Sequence, residues 1–65
     1  NINRNILLAD IPTYTAQLEA EGRLYLSGFY QEDLPMIDQA CHDQGLVVSR
    51  TMTKNNWVAG IWVKS

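Results

Sequence analysis

Residues 57–63 read Trp-Val-Ala-Gly-Ile-Trp-Val, without one polar side chain. On a strand, Trp57, Ala59, Ile61 and Val63 share one face, and Val58, Gly60 and Trp62 the other. A strand apolar on both faces belongs inside a sheet that is covered on both sides. The stretch before it is different. Leu46, Val48 and Met52 alternate with Val47, Ser49, Thr51 and Thr53, and Arg50 interrupts the apolar side. That polar content predicts an edge strand. Lys54-Asn55-Asn56 between the two is a hairpin turn, because Asn tolerates positive φ. The last strand therefore folds back from the rim into the sheet, and another strand must flank its far side.

Leu24-Tyr25-Leu26-Ser27-Gly28-Phe29 supplies that strand. Its uninterrupted start suits burial on both faces. Ser27 and Gly28 fall at its carboxyl end, where open α/β sheets bind ligands. The first and edge strands are then parallel, joined by a right-handed helical crossover, with the last strand antiparallel between them.

Two helical segments complete the pattern. Leu7, Ile11, Tyr14 and Leu18 form one apolar stripe, widened by Ile6. Pro12 within it predicts a kink or a restart, with Asp10 capping the second part. Three Asn among residues 1–5 suit a turn or cap. Gly22 is expected to close this helix in the left-handed conformation. Asp33 is the expected N-cap of the second helix, with Pro35 in its first turn. Leu34, Ile37, Ala40 and Cys41 make its apolar side; Asp38, Gln39, His42 and Asp43 face out, and Gly45 ends it.

Sixty-five residues allow one domain at most. A chain this short buries only about 60% of its unfolded surface. It is nonetheless 46% hydrophobic, with two Trp, three Tyr and one Phe. Such a chain either associates or is part of a larger domain, and a first residue that is Asn favours the second. The net charge of −2 offers no footprint for nucleic acid or an anionic membrane. No apolar run is long enough to span a bilayer. Cys41 is the single cysteine, which rules out an internal disulfide and suits a reducing compartment, the cytoplasm.

The residues resemble one family. A helix, a buried strand, a helix and a hairpin whose last strand inserts inward resemble the closing half of the Rossmann-like α/β sheet of class I S-adenosylmethionine-dependent methyltransferases. More narrowly, the chain resembles the PrmA-type enzymes that methylate a large-subunit ribosomal protein. Asn1-Ile2 followed by Ile6-Leu7 is similar to that family's Asn-containing motif after the fourth strand. Gly22-Arg23-Leu24-Tyr25-Leu26-Ser27-Gly28 is similar to its "G-G-x-L-x-L-S-G" run, with Glu21 in place of the first Gly. Asn56-Trp57 is similar to its "E-W" step, with Asn instead of Glu.

The resemblance implies that residues 1–65 are a single partial domain, the carboxyl-terminal segment of such an enzyme. The reaction it implies is methyl transfer to lysine side chains and a terminal amine of the ribosomal protein. Asn1 is the implied catalytic residue, its amide carbonyl aiming the incoming amine; Asn1 and Ile2 would border the cofactor. The glycine-rich turn and the ribose-holding acid lie upstream in that family, so the 65 residues alone are expected to be inactive. The strand over residues 24–29 would pair with a fourth strand outside this chain; bare, that edge invites self-association as a dimer.

The remaining candidates carry a functional and a plain reading each. Ser27 and Gly28 shape a substrate pocket, or Gly28 only permits a bend. Phe29 and Tyr30 line the same mouth, or pack. Lys54, Asn55 and Asn56 contact the protein substrate at the same rim, or form a solvated turn. Trp57 and Trp62 read as core; exposed, they would mark an interface. Cys41 reads as a small buried hydrophobe. His42 has no partner at metal-ligand spacing and reads as surface. Two alternatives remain: a class I methyltransferase acting on another substrate, and a standalone α/β interaction module that dimerises.

Overall fold

β3 (Trp57–Lys64) is the centre of a three-stranded sheet, between β1 (Arg23–Tyr30) and β2 (Leu46–Lys54), and antiparallel to both. β1 and β2 are therefore parallel, as the polarity contrast between the last two strands predicts. The computed structural model describes residues 4–65. α1 (Arg4–Ala16) precedes β1, and α2 (Leu34–Asp43) follows a single 3₁₀ turn over Gln31–Asp33. Asn55 and Asn56 take φ of 50° and 71°, a two-residue hairpin turn with both central residues left-handed.

Both helices pack on one face of the sheet. Leu7 and Ile11 of α1 and Ile37 and Cys41 of α2 share one buried cluster with Leu26, Phe29, Val58 and Trp62. The other face is open. β1 alternates: Leu24 and Leu26 are buried, Tyr25 and Ser27 exposed. On β3, Val58, Gly60 and Trp62 are buried, whereas Trp57 is 45% exposed and Ala59, Ile61 and Val63 are half-buried. The expectation that β1 and β3 are covered on both faces, and that both tryptophans are core, is met on the helix side only.

Two bulges decide which residues face which way. In β1 the pairing shifts between Ser27 and Phe29, and Gly28 is the extra residue at φ 85°. Glycine adopts that conformation without a Cβ penalty. The extra residue puts Phe29 on the inner face with Leu24 and Leu26. It also places Ser27 and Gly28 inside a strand that runs on to Tyr30, not at its end. In β2 the shift falls between Val48 and Arg50. Met52 pairs with Ala59 and lies on the open face with Arg50, opposite to Leu46; simple alternation put Met52 and Leu46 together.

The helix ends also differ from expectation. α1 runs unbroken through Pro12, which is exposed. Asp10 accepts a hydrogen bond from the Tyr14 hydroxyl at 3.4 Å instead of capping a restart. Thr15, not Tyr14, completes the buried stripe, its hydroxyl donating to the Ile11 carbonyl at 2.8 Å. α1 ends under a lysine from the far end of the chain. Lys64 Nζ donates to the carbonyls of Thr15 (3.0 Å) and Leu18 (2.8 Å); the Thr15 carbonyl also accepts from the Leu18 N–H, and the cation sits at the negative helix end. The left-handed residue before β1 is Glu21 (φ 68°), not Gly22. Gly22 is needed for closeness: a Cβ there would sit 2.8 Å from the Glu19 carbonyl oxygen. Gly45 ends α2 at φ 85° as expected.

Asp33 occupies the N-cap position of α2 without a side-chain cap bond; its carboxylate pairs instead with Arg4 at 3.2 Å. Asp38 does not simply face solvent. It accepts a 2.8 Å hydrogen bond from Nε1 of the fully buried Trp62. The indole thus reaches from β3 to α2, and its six-membered ring lies directly over Gly60.

Candidate functional site

The residues singled out in the sequence converge on one end of the sheet, on its open face. Antiparallel pairing brings the end of β1 to the start of β3, so Tyr30 lies opposite Trp57. Their rings stack with centroids 4.5 Å apart. Beside them is a shallow hollow of 450 Å³ lined by Ser27, Gly28, Met52, Thr53, Lys54 and Trp57, with Val58 and Ala59 at its base. A second hollow of 260 Å³ continues it along β3, between Tyr25 on one side and Arg50 and Met52 on the other.

Ser27 and Gly28 therefore do line a recess, together with Lys54. Phe29 does not: the Gly28 bulge turns it into the core, where it is 1% exposed. Asn55 is exposed at the hairpin tip. Asn56 serves the turn. Its side-chain amide donates to Glu32 at 3.0 Å, and its carbonyl accepts from the Gln31 N–H at 2.9 Å. These bonds fasten the hairpin to the 3₁₀ turn after β1. The Glu32 carboxyl is held below its usual range by a hydrogen bond from its own backbone N–H and by the Asn56 amide. Asn1 and Ile2 lie outside the described residues.

The stacked Tyr30–Trp57 pair was missed from the sequence. Its signal was present, since the two residues become cross-strand neighbours once β1 is set beside β3 in register.

The recess offers contact surface, with the Ser27 and Thr53 hydroxyls and the Lys54 amine as its polar groups and no carboxylate, imidazole or thiol among its lining residues. Cys41 is fully buried, and burial, with the nearby Asp38 carboxylate, pushes its thiol up to about 12. A thiol held protonated is neither a nucleophile nor a metal ligand. Among the described residues no three His, Cys, Asp or Glu side chains gather to hold a metal. The cofactor implied by the resemblance, S-adenosylmethionine, needs acceptors for its ribose hydroxyls and partners for its amino-acid end. No carboxylate lines either hollow. Every buried side-chain nitrogen and oxygen among the described residues already has a partner. These residues do not fit that cofactor, and they support no step through it.

Comparison with known proteins gives this arrangement its context. No family model matches the chain. The ribosomal protein L11 methyltransferase of Porphyromonas gingivalis is 49% identical over 59 residues, covering 91% of this chain and 20% of that protein. Those of Phocaeicola vulgatus and Bacteroides thetaiotaomicron are each 44% identical over the same length, covering 21% of theirs. The crystal structure of a ribosomal protein L11 methylase from Lactobacillus delbrueckii subsp. bulgaricus superposes with a TM-score of 0.88 at 29% identity, covering 100% of this chain and 34% of that one. The chain spans about a fifth of the length of the curated relatives it matches. In both sequence and fold, the chain corresponds to one segment of the ribosomal protein L11 methyltransferases.

Proposed function

We propose that the protein to which this segment belongs transfers methyl groups from S-adenosylmethionine to amines of ribosomal protein L11. The observation that carries this reading is the agreement of two measures: identities of 42–49% to L11 methyltransferases, and a TM-score of 0.88 to an L11 methylase over the whole chain. The interaction-module alternative has no comparable support. No helix among the described residues is long and apolar enough to cross a membrane; the cytoplasm is the proposed place of work because the proposed substrate is a ribosomal protein.

In this reading the segment is a scaffold with a substrate-facing rim. Asn1 orients the incoming amine and, with Ile2, borders the cofactor. Ser27, Gly28 and Asn55 contact the protein substrate, while Asn56 holds the hairpin in place. Phe29 supports the rim from the core. Methyl transfer to an amine asks mainly for alignment and exclusion of water. The amine must be unprotonated, so the rate rises with pH through its titration.

The test uses the intact protein, methyl-labelled S-adenosylmethionine and purified L11. Label in L11, reduced by Asn1→Ala, is the expected result; no label in L11 removes the reading. Calorimetry with the cofactor is expected to show binding by the intact protein and none by residues 1–65. The backbone edge of β1, unpaired among the described residues, supports self-association of the segment alone. Sedimentation should then give an apparent mass that rises with concentration, and a constant monomer mass would exclude it.

A further inference from the structure

The 3₁₀ turn over Gln31–Asp33 carries two neighbouring carboxylates that reach different parts of the molecule. The Asp33 carboxylate accepts from Arg4 Nη1 at 3.2 Å, across 29 residues of chain. Glu32 accepts from the Asn56 side-chain amide at 3.0 Å, and the Gln31 N–H donates to the Asn56 carbonyl at 2.9 Å. One short turn therefore holds the first turn of α1 on one side and the β2–β3 hairpin on the other.

Asp33 does not cap its own helix. An aspartate at the N-cap ordinarily bonds a free N–H of the first turn. Here the 3₁₀ turn runs straight into α2, Asp33 has a helical backbone (φ −90°, ψ −7°), and its side chain makes no cap bond. The carboxylate goes to Arg4 instead. Stability is a weak reason for that choice: the two side chains are 39% and 19% exposed, and water screens such a pair. Departures from local rules concentrate at functional sites. What the pair fixes is position. Arg4 follows Asn1 by three residues, which reach at most about 11 Å, so anchoring Arg4 restricts where Asn1 can be. Asn56, held by Glu32, adjoins Asn55 at the hairpin tip.

We infer that, within the methyltransferase reading on which this rests, Asp33 and Glu32 are positioning residues: Asp33 sets the amine-orienting Asn1 through Arg4, and Glu32 sets the substrate-facing hairpin through Asn56. The 3₁₀ turn then links the residue that aims the amine to the rim that receives L11. The two contacts have different kinetic signatures. Misalignment of a seated substrate lowers kcat, whereas a loosened rim weakens seating and raises KM.

The experiment measures kcat and KM for L11 in the intact protein with methyl-labelled S-adenosylmethionine. Asp33→Ala and Arg4→Ala are each expected to lower kcat by about fivefold, the most that an ion pair of this exposure can bias a two-state placement, with KM unchanged. The double variant should lose no more than either single one, because both remove the same contact. Arg4→Lys can keep one charged hydrogen bond to Asp33 and should retain most of the rate. Glu32→Ala should raise KM about twofold and leave kcat in place. Thermal melting by circular dichroism should put every variant near the wild-type Tm. Wild-type kcat in Asp33→Ala and Arg4→Ala, additive losses in the double variant, losses that track a lowered Tm, or a KM unmoved by Glu32→Ala overturn the inference. Those outcomes leave the methyltransferase reading standing, because labelling of L11 by the wild type tests it separately; no label from the wild type removes both.

Discussion

Gly60 is a position where one added methyl group meets a large, fixed side chain. A Cβ built there lies 2.6 Å from both Cη2 and Cζ3 of Trp62, and Thr51 Cγ2 stands 3.4 Å away on the other side. Non-bonded carbons rest at about 3.5–4.0 Å, so the indole must withdraw by roughly 1 Å. It has little room, being fully buried and tethered to Asp38 through a 2.8 Å hydrogen bond. Overpacking of this kind costs about 1–3 kcal/mol. Swinging the ring off Asp38 sacrifices a hydrogen bond to a charged acceptor, worth about 1.5–3 kcal/mol. The lower chain entropy of unfolded alanine returns only about 0.4–1 kcal/mol. Gly60→Ala is therefore expected to destabilise the chain by about 1.5–5.5 kcal/mol, lowering Tm by about 10 °C or more in a domain this small. Urea unfolding followed by tryptophan fluorescence and near-ultraviolet circular dichroism measures it. A double-mutant cycle with Trp62→Leu isolates the cause. With the ring gone, the methyl group has space, and the penalty of the double variant should fall short of the sum of the two single penalties by more than about 1 kcal/mol. Additive penalties, or a Gly60→Ala midpoint equal to that of the wild type, would refute the clash as the reason for glycine.

Three further perturbations follow from the same structure. Lys64→Met keeps the apolar stem but leaves the Thr15 and Leu18 carbonyls without their cap; a loss of about 1–2 kcal/mol in urea denaturation is expected, and no loss would assign those contacts no energetic weight. Gly28→Ala forces a side chain into φ 85° and should cost about 1–2 kcal/mol, whereas Gly28→Asn, which tolerates that region better, should cost less; hydrogen exchange at Phe29 reports whether the bulge survives. Cys41 should resist thiol reagents at pH 8 in the native chain and react on unfolding. Its folded pKa is raised from 9.0 to about 12, so only the unfolded thiol ionises between those values. Stability should therefore be intact below pH 9 and fall as pH rises through that window, a slope absent in Cys41→Ala.

The topology was legible because it rests on contrast. Residues 57–63 are apolar on both sides, residues 46–53 on one, and Asn55-Asn56 dictates the reversal between them. Side-chain direction past the bulges was not legible, because alternation counts residues and a single extra residue inverts everything after it. Gly28 was a visible hint of such a shift in β1. Ser49 gave none in β2, so Met52 and Arg50 were placed on the wrong side. The same inversion explains the candidate site: Ser27, Gly28 and Lys54 do meet in a recess, while Phe29, one step past the bulge, points into the core. Trp57 was read as core because its strand is apolar on both faces; the helices of this chain cover just one of them. Gly22 was assigned to a left-handed turn, when it is the approach of the Glu19 carbonyl that excludes a side chain there.

The position of β3 has a consequence for how the chain is made. Among the described residues both β1 and β2 find their backbone partners only in β3, and of these three strands β3 is translated last. When β1 leaves the ribosome, residues 31–64 have still to follow. At about 5–20 residues per second, that delay is about 2–7 s. During it, Leu24, Leu26 and Phe29 lack their β3 partners, and the Lys64 latch on α1 does not yet exist. Assembly must wait for the hairpin at Asn55-Asn56 to turn the final strand back between two that are already present. Among the described residues no halfway sheet precedes β3: a chain stalled before Trp57 lacks the strand that joins β1 to β2.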